Sequence, residues 1–156
     1  MWVLNGYYGL AILSKHPIVG VSSSQLPSRF YQEPRILTKT EVNVYGTDIN
    51  IYNTHLNSKN KETRIKQYIY IENHLKMKQP TLLMGDFNVM RNTDYFSIPH
   101  MQGINKNMHR TFENTGHPDD IFCSKDFKVD NSYIKNSSFS DHNILYCVLS
   151  FSSINK

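Results

Sequence analysis

From Ile36 to Thr54 the chain carries two runs in which apolar and polar residues alternate. The alternation is partial over Ile36–Val44 and clearer over Ile49–Thr54, and Tyr45-Gly46-Thr47-Asp48 lies between the two. A period of two places every second side chain on one face, the pattern of a β-strand, and a short glycine-containing break between two such runs is a hairpin signal. The period then changes. Asn57–Asn60 is a polar cluster suited to a helix start, with Glu62 in the first turn, and Ile65, Tyr68, Ile69 and Leu75 recur near helical spacing. That helix should end before Pro80. Thr81–Met84 is a compact strand that runs straight into Gly85-Asp86-Phe87-Asn88. A hairpin, a helix and a further strand in this order predict a layered α/β arrangement.

The remaining segments are read on the same basis. Leu10–Leu13 is a short apolar run stopped by Ser14-Lys15-His16-Pro17, a strand followed by a turn. Val21–Glu33 is polar and reads as loop, as does the irregular stretch Arg91–Gly116. Asp119–Cys123, Phe127–Tyr133 and Ile144–Phe151 are three more strand candidates. The 156 residues fit one domain, and a 39% hydrophobic content with 10 Tyr and 8 Phe supplies a core, which excludes global disorder. The formal net charge of +4 comes from scattered Lys and Arg and is compatible with a phosphate-bearing partner. Cys123 and Cys147 sit in apolar runs outside any CxxC pair, so two buried free thiols are expected rather than a zinc knuckle. No apolar stretch approaches the roughly 20 residues of a membrane span. No signal peptide is visible at Met1, which favours a cytoplasmic location.

Four short segments carry residues able to do chemistry: Asn53-Thr54-His55-Leu56, Gly85-Asp86-Phe87-Asn88, Pro118-Asp119-Asp120-Ile121 and Ser140-Asp141-His142. In the second, glycine lets the backbone turn tightly after the strand, Asp86 and Asn88 sit two apart, and Phe87 is free to enter the core. A carboxylate can hold a hard cation or orient a water, and an amide can donate to a phosphate oxygen without adding negative charge. The same turn, taken by itself, is equally an Asx-rich loop closure. Asp141 and His142 place a carboxylate beside an imidazole whose pKa suits proton transfer near neutrality, and either Asp119 or Asp120 can fix the imidazole's tautomer. His55 can donate to a phosphate oxygen or simply cap a strand end. His16, His74, His100, His109 and His117 have no comparable context.

Taken together and in this order, the four segments resemble the endonuclease/exonuclease/phosphatase superfamily, which includes pancreatic-type deoxyribonuclease, exonuclease III-like repair nucleases, neutral sphingomyelinases, inositol polyphosphate phosphatases and deadenylases. Tyr8-Gly9-Leu10-Ala11-Ile12-Leu13-Ser14 is similar to one of that family's strands, and Arg64 with Gln67 to its Arg-x-x-Gln helix. The resemblance implies a DNase I-like four-layered α/β sandwich of two stacked, mostly antiparallel sheets flanked by helices. It implies hydrolysis of a phosphoester by metal-assisted water attack, with Mg²⁺ as cofactor and Mn²⁺ as the alternative. Asp86 would position the water or the metal, Asn88 would bind phosphate, and His142 would be the general base oriented by Asp119. Asp141 would stand on the metal side, His55 would donate to phosphate or act as general acid, and Arg35 would reach a phosphate.

Two departures from the family pattern bear on these roles. Asp120 stands where the family prefers an aromatic. The early Asn and Glu of the family also have no clear counterpart before Tyr8, Asn5 lying too close to the next strand. The expectation is therefore a single domain over 1–156 that is incomplete at its N-terminus. Nucleic acid is the favoured substrate, with sphingomyelin or inositol phosphates as alternatives. A catalytically impaired, partner-binding form is the competing function, with a homodimer or a strand-supplying partner as its means of completion.

Overall fold

The computed structural model describes residues 9–90, 97–105, 110–112 and 116–151. Its elements run β1 (Ile18–Gln25), β2 (Ile36–Val44), β3 (Thr47–His55), α1 (Lys61–His74), β4 (Thr81–Asp86), β5 (Met101–Gly103), β6 (Asp119–Ser124), β7 (Phe127–Lys135) and β8 (Ile144–Phe151). Six strands form one sheet in the order β1-β2-β3-β4-β6-β5, and β7 pairs with β8 in a second sheet. Among the described residues only β3 and β4 pair in parallel, with α1 as the crossover between them; the other ladders there are antiparallel.

The hairpin expected from the alternating runs is β2–β3. Val44 faces Thr47 across the turn, and Tyr45 and Gly46 both take positive φ, 51° and 87°. That geometry matches the twist of the flanking strands. The helix also starts where expected. Asn60 caps it, its side chain accepting from the Thr63 N–H at 2.8 Å. Its buried face is Thr63, Gln67, Tyr68 and Ile71, while Ile65 and Ile69 are exposed. Gln67 is tolerated there because its amide is satisfied: Oε1 accepts from the Asn57 N–H at 2.8 Å and Nε2 donates to the Pro27 carbonyl at 3.0 Å.

Two apolar layers result, one on each face of the large sheet. Tyr68 and Ile71 of α1 pack with Leu37, Tyr52, Leu83 and Phe122 of the strands. On the opposite face Ile49, Ile51, Leu82 and Cys123 meet Phe127, Val129 and Leu149 of the small sheet. Leu56, Ile71 and Leu83 have no exposed surface, so truncating any of them to Ala would cost about 2–5 kcal/mol. Both cysteines are free thiols; Cys123 is buried and Cys147 partly so. Among the described residues no helix is long and apolar enough to cross a membrane.

Three sequence expectations are corrected. Leu10–Leu13 is not a strand: its described backbone joins no ladder, and the Ala11 carbonyl instead accepts from the Asn53 amide at 3.3 Å. The loop expected over Val21–Glu33 begins with the second half of β1, which pairs along β2 through Ser22, Ser23 and Ser24. An edge strand needs backbone partners on one side only, so a serine run can serve. Within the segment read as loop from Arg91 to Gly116, Met101–Gly103 pairs with β6; residues 91–96, 106–109 and 113–115 lie outside the described residues, as do Asn5 and Tyr8.

Candidate active site

Register builds most of the site. The parallel β3–β4 ladder sets His55 beside Asp86, and the antiparallel β4–β6 ladder sets Asp86 beside Asp119. Side chains paired across a ladder share a face. Moving back along the same strands, that face carries Ile51, Leu82 and Cys123, which pack against the small sheet. His55, Asp86 and Asp119 therefore form a row where the seam between the two sheets ends. His142, just before β8, reaches this row from the other sheet: its Nδ1 lies 2.8 Å from Asp119 Oδ2.

Local backbone geometry explains the residue types. Gly85 has φ +147°, and a Cβ there would lie 1.9 Å from the Thr54 carbonyl oxygen, so glycine is obligatory if β3 and β4 are to close up at their ends. Asn88 takes φ 53° and its N–H donates to Asp86 Oδ1 at 2.7 Å, while its side-chain amide donates to the Leu56 carbonyl at 2.9 Å. Asn tolerates this left-handed conformation better than most residues. Phe87, between them, is buried and meets Phe122 edge-on at 5.2 Å. The turn thus pins the carboxylate of Asp86, ties the β4 end to the β3 end and anchors itself in the core. Arg64 and Gln67 act on the neighbouring loop: Arg64 donates to the Asn57 and Ser58 carbonyls at 3.0 and 3.1 Å, and Gln67 accepts from Asn57 N–H.

The electrostatics separate the two histidines. Burial lowers the pKa of His55 below its ordinary value; the charge of Asp86 opposes this and that of Arg35 adds to it. His55 is thus largely neutral near pH 7, with Nε2 3.2 Å from Asp86 Oδ2. For His142 burial also lowers the pKa, but the hydrogen bond and charge of Asp119, with the charges of Asp86 and Asp141, outweigh it and the net shift is upward. Asp86 is raised by burial, against the stabilising effects of His55, the Asn88 N–H and His142.

One ligand atom from each of Asp86, Asp119 and His142 falls within 4.8 Å of the others, a spacing that one cation can span. Asp119 already turns Oδ2 to His142, so Asp86 and the second oxygen of Asp119 are the carboxylate donors left. Hard oxygen donors in small number suit an ion such as Mg²⁺, which keeps most of its waters. Asp141 is exposed beside this group, its carboxylate 3.4 Å from Ser140 Oγ. Asp120 points to the other face of β6, because neighbours in a strand alternate. It is buried, with Oδ1 accepting the N–H groups of Asn105 and Ile121, both at 2.7 Å. It neither supplements the cation cluster nor orients His142; it fastens the chain after β5 in the place of the expected aromatic. Arg35 is buried, ion-paired with Glu33 at 2.8 Å, and lines a cavity shared with His55.

Sequence reasoning missed Thr111 and Phe112. The Phe112 ring packs on His142 with centroids 5.0 Å apart. The Thr111 carbonyl accepts from the Asn143 N–H at 2.7 Å and its hydroxyl from the Asp119 N–H at 3.3 Å. Both residues lie in a polar, irregular stretch with no periodicity to mark them.

The sequence model of the endonuclease/exonuclease/phosphatase family matches residues 3–142. The chain belongs to this family. No match was found among curated proteins. Among solved structures, the family member from Beutenbergia cavernae superposes with a TM-score of 0.75 at 22% identity, over 88% of this chain and 46% of that one. A mannosyl-6-phosphatase from Bacteroides thetaiotaomicron gives 0.69 at 21% identity, over 88% and 68%. The human nocturnin catalytic domain, with bound sulfate, gives 0.68 at 22%, over 87% and 60%. The chain thus spans between 46% and 68% of the length of these three family structures. These superpositions show the fold, a DNase I-like α/β sandwich.

Proposed function

We propose that this chain is the site-bearing part of a divalent-metal-dependent phosphoester hydrolase. The observation that carries the proposal is the convergence of Asp86, Asp119 and His142, with His55 alongside, at the open end of the inter-sheet seam. Asp86 would hold the cation, helped by the second oxygen of Asp119 and the nearby charge of Asp141. A bound Mg²⁺ or Mn²⁺ supplies a Lewis acid for the phosphoryl oxygen and acidifies water. The protein's own groups do the rest. His142 donates Nδ1–H to Asp119, which fixes the tautomer and leaves Nε2 to take a proton from the attacking water. His55 would donate its one N–H to a phosphate oxygen once Asp86 turns to the cation and releases it. Asn88 would add an N–H of its amide, and Arg35, on the cavity it shares with His55, would reach the phosphate.

The test is hydrolysis of bis(p-nitrophenyl) phosphate by the wild type and His142→Ala, each with Mg²⁺ and with chelator. Loss of about 10²–10⁴-fold in the variant, and loss of turnover on chelation, are expected. Equal rates in all four conditions would refute the assignment. The net charge of +4 favours nucleic acid over inositol phosphate or sphingomyelin as substrate. Binding of labelled DNA and RNA should then weaken steeply between two salt concentrations, since counterions are released on binding; salt-independent binding with turnover of a lipid substrate would reverse the ranking.

A further inference from the structure

Next to the phosphate centre lies a second cavity of about 400 Å³, between the loop ahead of β2 and the loop from β3 to α1. Tyr31, Gln32, Glu33 and Arg35 line it on one side, Asn57 and Lys59 on the other. Arg35 also lines the cavity that contains His55, so the two spaces have this residue in common.

The walls are held in place by hydrogen bonds. Gln32 Oε1 accepts from the Arg29 N–H and the Thr63 hydroxyl, both at 3.1 Å. Asn57 Oδ1 accepts from the N–H groups of Lys59 and Asn60 at 3.1 and 2.7 Å. Arg29 is tied to Glu62 at 2.7 Å and to the Tyr31 hydroxyl at 3.1 Å. A cavity with fixed walls can select a ligand without first ordering its own loops.

We propose that this cavity seats the alcohol half of the ester, and that the group it takes is a sugar ring with vicinal hydroxyls. The proposal rests on the phosphoesterase reading of the adjoining site. Glu33 gives Oε2 to Arg35 at 2.8 Å and is half exposed, so its carboxylate keeps lone pairs that can accept from a ligand's hydroxyls. The charge of Arg35 is matched by Glu33, and Lys59 stands exposed at the rim, where water and salt screen it. Tyr31, 77% exposed, presents a flat apolar ring to the C–H face of a sugar. A lipid tail or an unsubstituted aliphatic alcohol would leave these polar groups desolvated and without partners.

The test reads binding in chelator, without turnover, so its failure is distinct from failure of the hydrolase assignment. Two matched pairs are compared by ligand-observed NMR: ribose 5-phosphate against tetrahydrofurfuryl phosphate, and uridine 5′-monophosphate against its 2′,3′-dideoxy form. In the wild type the hydroxylated member of at least one pair should bind about tenfold tighter, the worth of one to two net hydrogen bonds. Preference in both pairs identifies the sugar ring as sufficient; preference in the nucleotide pair alone identifies a ribonucleotide as the occupant. Glu33→Gln and Tyr31→Ala should each reduce the ratio to below about threefold, and the exposed position of Tyr31 keeps that variant folded. Equal affinities within both pairs, or ratios unchanged in both variants, would overturn the proposal.

Discussion

The large sheet and the small sheet hold their shares of the site by different means. His55, Asp86 and Asp119 are side by side because three strands pair in register, and each ladder is fixed by many backbone hydrogen bonds and a buried layer on both faces. His142 stands on the connection between the two strands of the small sheet. It is located by a few contacts: Asp119, the ring of Phe112, and the bond from Asn143 N–H to Thr111. One half of the site therefore comes with the fold, whereas the other half must be docked onto it. Changes that disturb the ladder backbone should act on stability, and changes to the contacts of the His142 ring on the chemistry.

The largest effect is expected at Gly85. Gly85→Ala sets a Cβ against the Thr54 carbonyl at a φ that L-residues avoid, so the variant should lose more than about 4 kcal/mol or fail to accumulate as folded protein. A thermal melt close to that of the wild type would show that the end of β4 is less tightly closed than the register implies. Asp119→Asn should leave the fold in place yet lower turnover by about 10²-fold or more, by removing the carboxylate that orients His142. In chelator, an NMR titration of the His142 ring should show its pKa falling towards or below the ordinary value, because the upward influence of Asp119 is gone while burial remains. The sign for stability follows. A His pKa raised in the folded state adds stability below its ordinary value of about 6.5, and this is lost as pH rises through the raised value; Asp119→Asn should flatten the profile across that window. An unchanged pKa would mean that the Asp119 contact does not govern the imidazole. The smallest effect belongs to Thr111→Val. It removes the hydroxyl that accepts from the Asp119 N–H and should cost about 1–2 kcal/mol by chemical denaturation, with turnover within about threefold. A tenfold fall in turnover with unchanged stability would assign the hydroxyl to catalysis and blur the contrast between the two regions.

What the sequence disclosed follows the range of the interaction. The β2–β3 hairpin, the capped helix and the Gly85-Asp86-Phe87-Asn88 turn are set by neighbours along the chain, so period, cap and glycine are readable directly. The row His55–Asp86–Asp119 depends on register between strands far apart in sequence, and it came from the resemblance of the motifs rather than from any local signal. β1 was hidden because an edge strand of serines lacks an apolar period. The face of Asp120 was hidden because two adjacent carboxylates look alike until the strand's alternation is anchored. Phe112 carried no local mark, since its role is only to meet a ring that arrives from elsewhere.

The two cysteines give the docked half a clock of its own. Cys123 belongs to the large sheet and is buried in the seam, and Cys147 lies on β8 of the small sheet. Burial pushes both thiols up, and the nearness of Cys123 raises Cys147 further. Since the thiolate is the reactive species and Cys123 is covered, an alkylating reagent meets an inert Cys123 while the seam is closed, with the partly exposed Cys147 as the internal reference. Each labelling of Cys123 then counts one excursion in which the hairpin lifts away, and the rate measures how often the molecule exists without His142 in place.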